Sequence, residues 1–469
     1  MPSLLSGSID IELSRGHPLL FHFLGGVWGN IFGTSLISLH TFGLAISCLL
    51  VVALQYIVNL FSNKWFGCLA GILLVLQEMF FAQSAFVYPE ILLSLTVLLT
   101  LYFYSTGKWV LYSISLLAAF LTKETAVILL PALFLFELFN LLNRDTDLKD
   151  LMTKLLYTTI PIAVVFLHFL YQKVVFGWWL FPEHVDLIST DFFTIKNAFR
   201  NVWEVTLHDQ GRFYPIMLAY GIFVVTNRNC SRLIKIIVLV LILISIGIVY
   251  AKEMSGFGNG LLFSMLLLPL LYSFPYKQKG IKNSKSVYLR LSLLLIVMFL
   301  LFSSMNFYTN RYSLVCIPLI VSFISIALFQ LSKQNKVLAI LATCIAIGPF
   351  AYNVYSSDEE KEISYGYVNK VKVAKMAIYH LEELAMSENI TVNSGFVISS
   401  YLFNNNCGYV ENKSAPFSRA GWSSSDYIIT TNFESSKKEF EKYQELYELV
   451  NEFHLGRSWS KVYKKKQTE

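Results

Sequence analysis

Charge is scarce in this sequence. Of 469 residues only 14% are Asp, Glu, Lys or Arg, while 55% are hydrophobic and 15% aromatic. With a mean hydropathy of +0.55, this excludes an ordinary soluble domain and points to helices that are apolar all round, as in a polytopic membrane protein. The six cysteines (Cys48, Cys68, Cys230, Cys316, Cys344 and Cys407) show no short paired spacing, so neither a disulfide framework nor a metal site is expected. Five of them fall in or beside apolar segments, where small buried thiols are ordinary. No cofactor and no metal is required by any motif. The net charge of +6 is loop charge rather than a basic face, so nucleic acid is not an expected partner.

Apolar segments are what the chain has in quantity. A spanning helix needs about 20 apolar residues, and twelve spans are predicted at 35–61, 65–83, 90–106, 109–122, 124–143, 153–176, 213–226, 234–251, 260–275, 288–305, 311–331 and 337–353. The loops between them alternate in charge. One set holds Lys64, Lys108, Arg144, Lys149, Lys154, Arg228, Arg232, Lys235, the cluster Lys277, Lys279, Lys282, Lys285 and Arg290, then Lys333 and Lys336. By the positive-inside rule this side is the cytoplasm. The opposite set carries isolated cations beside Gly, Pro, Trp and acids: Lys123, Lys252 and Arg311. These have no topological task, so chemistry is sought among them.

Three regions follow. Residues 1–34 read as an outer loop with a Gly-rich interfacial helix, 35–353 as the multi-span domain, and 354–469 as an extracytoplasmic α/β domain. In the last, 368–387 has helical periodicity, "ITVNSGF" and "DYIITTN" read as strands, "KKEFEKYQELYELVNEF" as a helix or a helix plus strand, and "SWSKVYKKK" as a final strand. A further span upstream of Met1 is expected.

Four stretches stand out in order: "SRGHPLLFHFLGGVWGNIFG" (14–33), "FFAQSAFVYPEILLSLTVLLTLY" (80–102), "LLAAFLTKETAVILLPALFLFEL" (116–138) and "NRYSLVCIPLIVSF" (310–323). In this order and spacing the chain resembles the polyprenyl-phosphate-dependent glycosyltransferases of the GT-C fold, in the branch of protein mannosyltransferases and lipid A aminoarabinose transferases. The resemblance covers 14–331, and its weight lies in the ordered set rather than in any one motif. The chain departs from the family at Leu19, where a second Pro is common, and at Glu90, where Asp is commoner. The family's catalytic Asp stands well upstream of the His-Pro element, whereas sixteen residues precede His17 here. The resemblance therefore implies an N-terminally truncated chain, with Asp10 and Glu12 the acids left in the first loop as candidates for the base.

What the resemblance implies is an inverting sugar transfer from a polyprenyl-phosphate donor to a hydroxyl of a lipid, glycan or protein acceptor, on the outer face of a bacterial cytoplasmic membrane. A carboxylate would take the acceptor proton, and cations would meet the charge growing on the leaving phosphate. Glu90, Asp10 and Glu12 are the catalytic candidates. His17, Lys123, Lys252, Arg311 and Tyr312 are the substrate-binding ones. Each has a plainer reading: Pro89-Glu90 as a favoured helix start, Thr122 as an N-cap before Lys123, Lys252-Glu253 as a solvated turn pair, Arg311 as an interfacial anchor, His17 as a packed loop residue. Trp178, Trp179 and Trp203 read as interface aromatics. The competing class is a flippase or transporter of lipid-linked sugar, which would call for repeated halves and acids at mid-membrane.

Overall fold

The structure, a computed structural model, describes residues 18–84, 86–142, 148–226, 232–250, 284–356, 363–385, 389–403, 409–410, 417–433 and 440–466. The chain divides into two compact units, one of 1–32 with 41–355 and one of 33–40 with 356–469.

The first unit is helical. Its described helices are α1 (Leu20–Phe32), α2 (Leu36–Phe61), α3 (Lys64–Val75), α4 (Glu78–Gln83), α5 (Glu90–Thr106), α6 (Trp109–Thr122), α7 (Leu129–Leu142), α8 (Leu148–Phe176), α9 (Pro182–Val185), α10 (Phe192–Trp203), α11 (Phe213–Thr226), α12 (Arg232–Tyr250), α13 (Ser284–Met305), α14 (Ile317–Ser332) and α15 (Lys336–Ser356). A 3₁₀ turn, Glu124–Ile128, leads into α7, and another, Asn310–Val315, into α14. Among the described residues six helical segments are long and apolar enough to cross a membrane: Ile37–Phe61, Glu124–Leu142, Lys149–Phe176, Ser284–Met305, Asn310–Ser332 and Lys336–Asn353. Shorter apolar helices cover 90–106, 109–122, 213–226 and part of 234–251, while 260–275 lies outside the described residues.

Burial sorts the helices. α5 is buried along almost its whole length, and α13 and α14 are mostly buried. α5 packs on α6, on α13 and on the 310–315 turn, while α14 packs on α11 and α3. α2, α8 and α15 instead turn Leu49, Val52, Leu156, Phe166, Leu167, Val174, Ile340 and Ile345 outward. Apolar side chains on the outside cost nothing in hydrocarbon, where helices satisfy their own backbone.

Three expectations need correction. The segment 65–83 is not one helix: it breaks at Leu76 and Gln77, because Gln77 is extended and buried and the N–H of Met79 is taken by Gln210 Oε1 at 3.1 Å. Lys154, counted among the topological cations, is buried. Its Nζ lies 2.9 and 2.8 Å from the Glu137 carboxylate oxygens and 3.0 Å from Asp150 Oδ2, with the Tyr104 hydroxyl also donating to Glu137. Trp203 is a core residue rather than an interface aromatic, with 2% of its surface exposed.

In the second unit α16 (Tyr367–Ala385) precedes β1 (Ile390–Ser394), α17 (Phe396–Phe403), β2 (Phe417–Arg419), β3 (Tyr427–Thr431), β4 (Tyr447–Leu455) and β5 (Ser458–Lys465). The sheet runs β2-β1-β3-β5-β4: β1 is parallel to β2 and β3, β5 antiparallel to β3 and β4. One face buries Ile390, Val392, Ile429 and Val462 against Ala374, Ala377, Ile378 and Leu381 of α16 and Ile398 and Leu402 of α17. The expected helix 368–387 and the strands in "ITVNSGF", "DYIITTN" and "SWSKVYKKK" are all present. The described part of "KKEFEKYQELYELVNEF" is a turn and then β4, since pairing with β5 outweighs its helix-forming glutamates and lysines.

Candidate functional site

Three residues far apart in the chain meet at one carboxylate. Glu90 opens α5 directly after Pro89, whose φ of −72° suits a helix entry. Lys123 stands in the extended break between α6 and the 124–128 turn, at φ −160° and ψ 143°. Thr122 is therefore the last residue of α6 rather than an N-cap, and its hydroxyl donates back to Ala118 O at 2.7 Å. Arg311 lies in the 310–315 turn that enters α14.

Lys123 Nζ donates to Glu90 Oε1 at 2.7 Å, and Arg311 Nε donates to the same oxygen at 3.2 Å. The side chains of Glu90, Lys123 and Arg311 are 3%, 12% and 22% exposed. Aromatic faces complete the enclosure. Lys123 Nζ sits 3.4 Å from the centre of the Tyr312 ring, and the Arg311 guanidinium lies 4.5 Å from that of Tyr88 and 5.7 Å from that of Tyr312. Such contacts add about 0.5–2 kcal/mol each, more as water is excluded. Glu90 Oε2 is buried and has no hydrogen-bond partner among the described residues. Two cations thus meet on one carboxylate in a place with little water.

A small gap of about 20 Å³ adjoins this group. Glu90, Lys123, Thr125 and Tyr312 form its polar end, and Leu93, Val97, Ile128, Leu295 and Phe299 its apolar walls.

The 310–315 turn is held from behind. Ser313 Oγ lies 2.6 Å from Thr206 Oγ1 and 2.5 Å from the Tyr308 hydroxyl. Thr206 belongs to a turn, Glu204–His208, that is wound more widely than an α-helix. Arg212, fully buried, fills it: its guanidinium donates to Thr206 O at 3.0 Å, Gln210 Oε1 at 2.7 Å, Gln77 Oε1 at 3.4 Å and Val205 O. Gly211, at φ +74°, closes the turn against α15, where a Cβ would lie 2.6 Å from Asn353 Nδ2. Only glycine serves there, for backbone and for space.

Of the expected site residues, the fold brings Glu90, Lys123, Arg311 and Tyr312 together. Asp10, Glu12, His17 and Lys252 lie outside the described residues. Sequence reasoning missed Tyr88 and the Arg212 turn. Arg212 carried a usable signal, as one more isolated cation in a loop assigned to the outer side.

No family model matches the chain, and no curated protein does. Two solved structures do match over most of their length. The crystal structure of ArnT from Cupriavidus metallidurans bound to undecaprenyl phosphate is 11% identical at a TM-score of 0.46, and that of ArnT in the apo state is 14% identical at 0.37. Each match covers 96% of this chain and 88% of the other. Neither reaches a TM-score of 0.5, so the side chains have to carry the function.

Proposed function

We propose that the protein is a membrane glycosyltransferase that takes a sugar from a polyprenyl-phosphate donor. The observation that carries this reading is the meeting of Lys123 and Arg311 on Glu90, under the Tyr312 and Tyr88 rings. The ordered motifs of the sequence support it. The donor phosphate rests against Lys123 and Arg311. An acceptor hydroxyl attacks the anomeric carbon as the bond from that carbon to the phosphate oxygen breaks. The departing electron pair stays on the phosphate, where the two cations stabilise it. Glu90 holds both cations in place through Oε1. A separate carboxylate takes the acceptor proton, and Asp10 and Glu12 are the acids that the first loop offers. Inversion at the sugar, the outer face of a cytoplasmic membrane and an acceptor-recognising role for the α/β unit belong to the same reading.

The test gives the purified protein radiolabelled polyprenyl-phosphate sugars with candidate acceptors, and in parallel follows labelled lipid across proteoliposomes. Release of polyprenyl phosphate that is lost in Lys123→Ala and Arg311→Ala supports the reading. Movement of intact lipid-linked sugar without release overturns it in favour of transport.

A further inference from the structure

No metal site is expected from the sequence, yet the 204–209 turn assembles a set of metal-ligating groups. Glu204 and His208 are four residues apart, on one side of a helical turn. Because the turn is wide, the Asp209 N–H reaches the Glu204 carbonyl at 2.8 Å, which folds Asp209 back onto the same side. One ligand atom each from Glu204, His208 and Asp209 then lie within 4.8 Å of one another.

Two observations set this cluster apart from chance neighbours. His208 Nδ1 is buried and has no hydrogen-bond partner among the described residues; Asp209 Oδ1, at 3.8 Å, is too far to accept from it. The nearby cation does not neutralise the two carboxylates by direct bonding either, since the Arg212 guanidinium spends its donors on Thr206 O, Val205 O, Gln210 and Gln77. Two carboxylates and an imidazole thus share a half-buried place beside the Phe213 ring, with one imidazole nitrogen left unpartnered. A cation placed among the three would give that nitrogen a partner and bridge both carboxylates.

We propose that Glu204, His208 and Asp209 bind a zinc ion. One nitrogen and two carboxylate oxygens form a borderline donor set that suits zinc, whereas magnesium and calcium favour oxygen alone. Three protein ligands leave a fourth position for water. The ion staples a turn whose Thr206 supports Ser313, two residues from Arg311. It is therefore a positioning element for the 310–315 turn, and it stands whether or not the protein transfers sugars.

The test uses the whole protein in detergent, stripped with chelator and titrated with zinc alone. One equivalent is expected to bind and to raise the thermal midpoint, and magnesium in excess is expected not to displace it. Glu204→Gln keeps the side-chain shape and is expected to lower zinc affinity at least about tenfold, as is His208→Ala. Cobalt in place of zinc is expected to show the visible absorption of a four-coordinate ion. Binding of less than half an equivalent, unchanged affinity in both variants, or displacement by magnesium would overturn the proposal. Sugar transfer that persists in a zinc-free protein would leave the proposed function intact while refuting the positioning role.

Discussion

Removing Lys123 should unbalance the protein in a way that removing Glu90 at the same time repairs. Glu90 is 3% exposed, and its Oε1 takes both Lys123 at 2.7 Å and Arg311 at 3.2 Å. Lys123→Met keeps most of the side-chain volume over the Tyr312 ring but leaves a buried carboxylate with the longer contact alone. Breaking a buried ion pair from one side costs about 3–5 kcal/mol, most of it the stranded charge. Arg311 remains, so the lower end, about 3 kcal/mol, is expected. Glu90→Gln keeps an acceptor for one cation and should cost about 1–3 kcal/mol. The double variant strands no carboxylate, so its cost should fall short of the sum by about 2 kcal/mol. Titration with denaturing detergent in mixed micelles, followed by helix content, measures all four corners of the cycle. Costs that add to within about 0.5 kcal/mol would show that Glu90 and Lys123 do not act on each other, and the clamp would fall with them.

Two further outcomes are expected. Lys154→Ala removes the cation that Glu137 and Asp150 share, so it should destabilise the first unit by about 3 kcal/mol in the same titration, while Lys154→Ala combined with Glu137→Leu should recover part of that loss. In the second unit, hydrogen bonds from Lys461 and then His454, at 2.7 Å each, hold the exposed Glu452 carboxyl below its ordinary value. A lowered folded pKa means a stabilisation fully present above the unfolded glutamate value of about 4.3 and lost as the pH falls through the folded one. Hydrogen-exchange protection factors in β4 and β5, corrected for the intrinsic exchange rate at each pH, should therefore fall below about pH 4 in the native protein more than in Glu452→Gln; equal acid sensitivity would refute the assignment.

Much of the fold was legible because hydrocarbon is a strict solvent. Long apolar runs such as 37–61 and 310–332 have no soluble alternative, and they stand in the structure as helices of spanning length. The α/β unit was legible by alternation: Ile390 and Val392, Tyr427 and Ile429 face one way along their strands. The break at Gln77 was not, because its cause, the capping of Met79 by Gln210, lies 131 residues along the chain. Nor was the burial of Lys154, which as a residue type is indistinguishable from the loop lysines around it.

The site divides in the same way. Sequence alone was enough to single out Glu90, Lys123 and Arg311, because a charge in an apolar chain with no topological task calls for another explanation. It could not say that the two cations share one carboxylate oxygen or that Tyr312 and Tyr88 cover them. Nor could it say that Glu204, His208 and Asp209 face one another, since that depends on a single wide turn wound around the buried Arg212. Residue type and local spacing are properties of the chain. Contacts between residues 90, 123 and 311 depend on which helix ends come together, and only the packing of α5, α6 and α14 decides that.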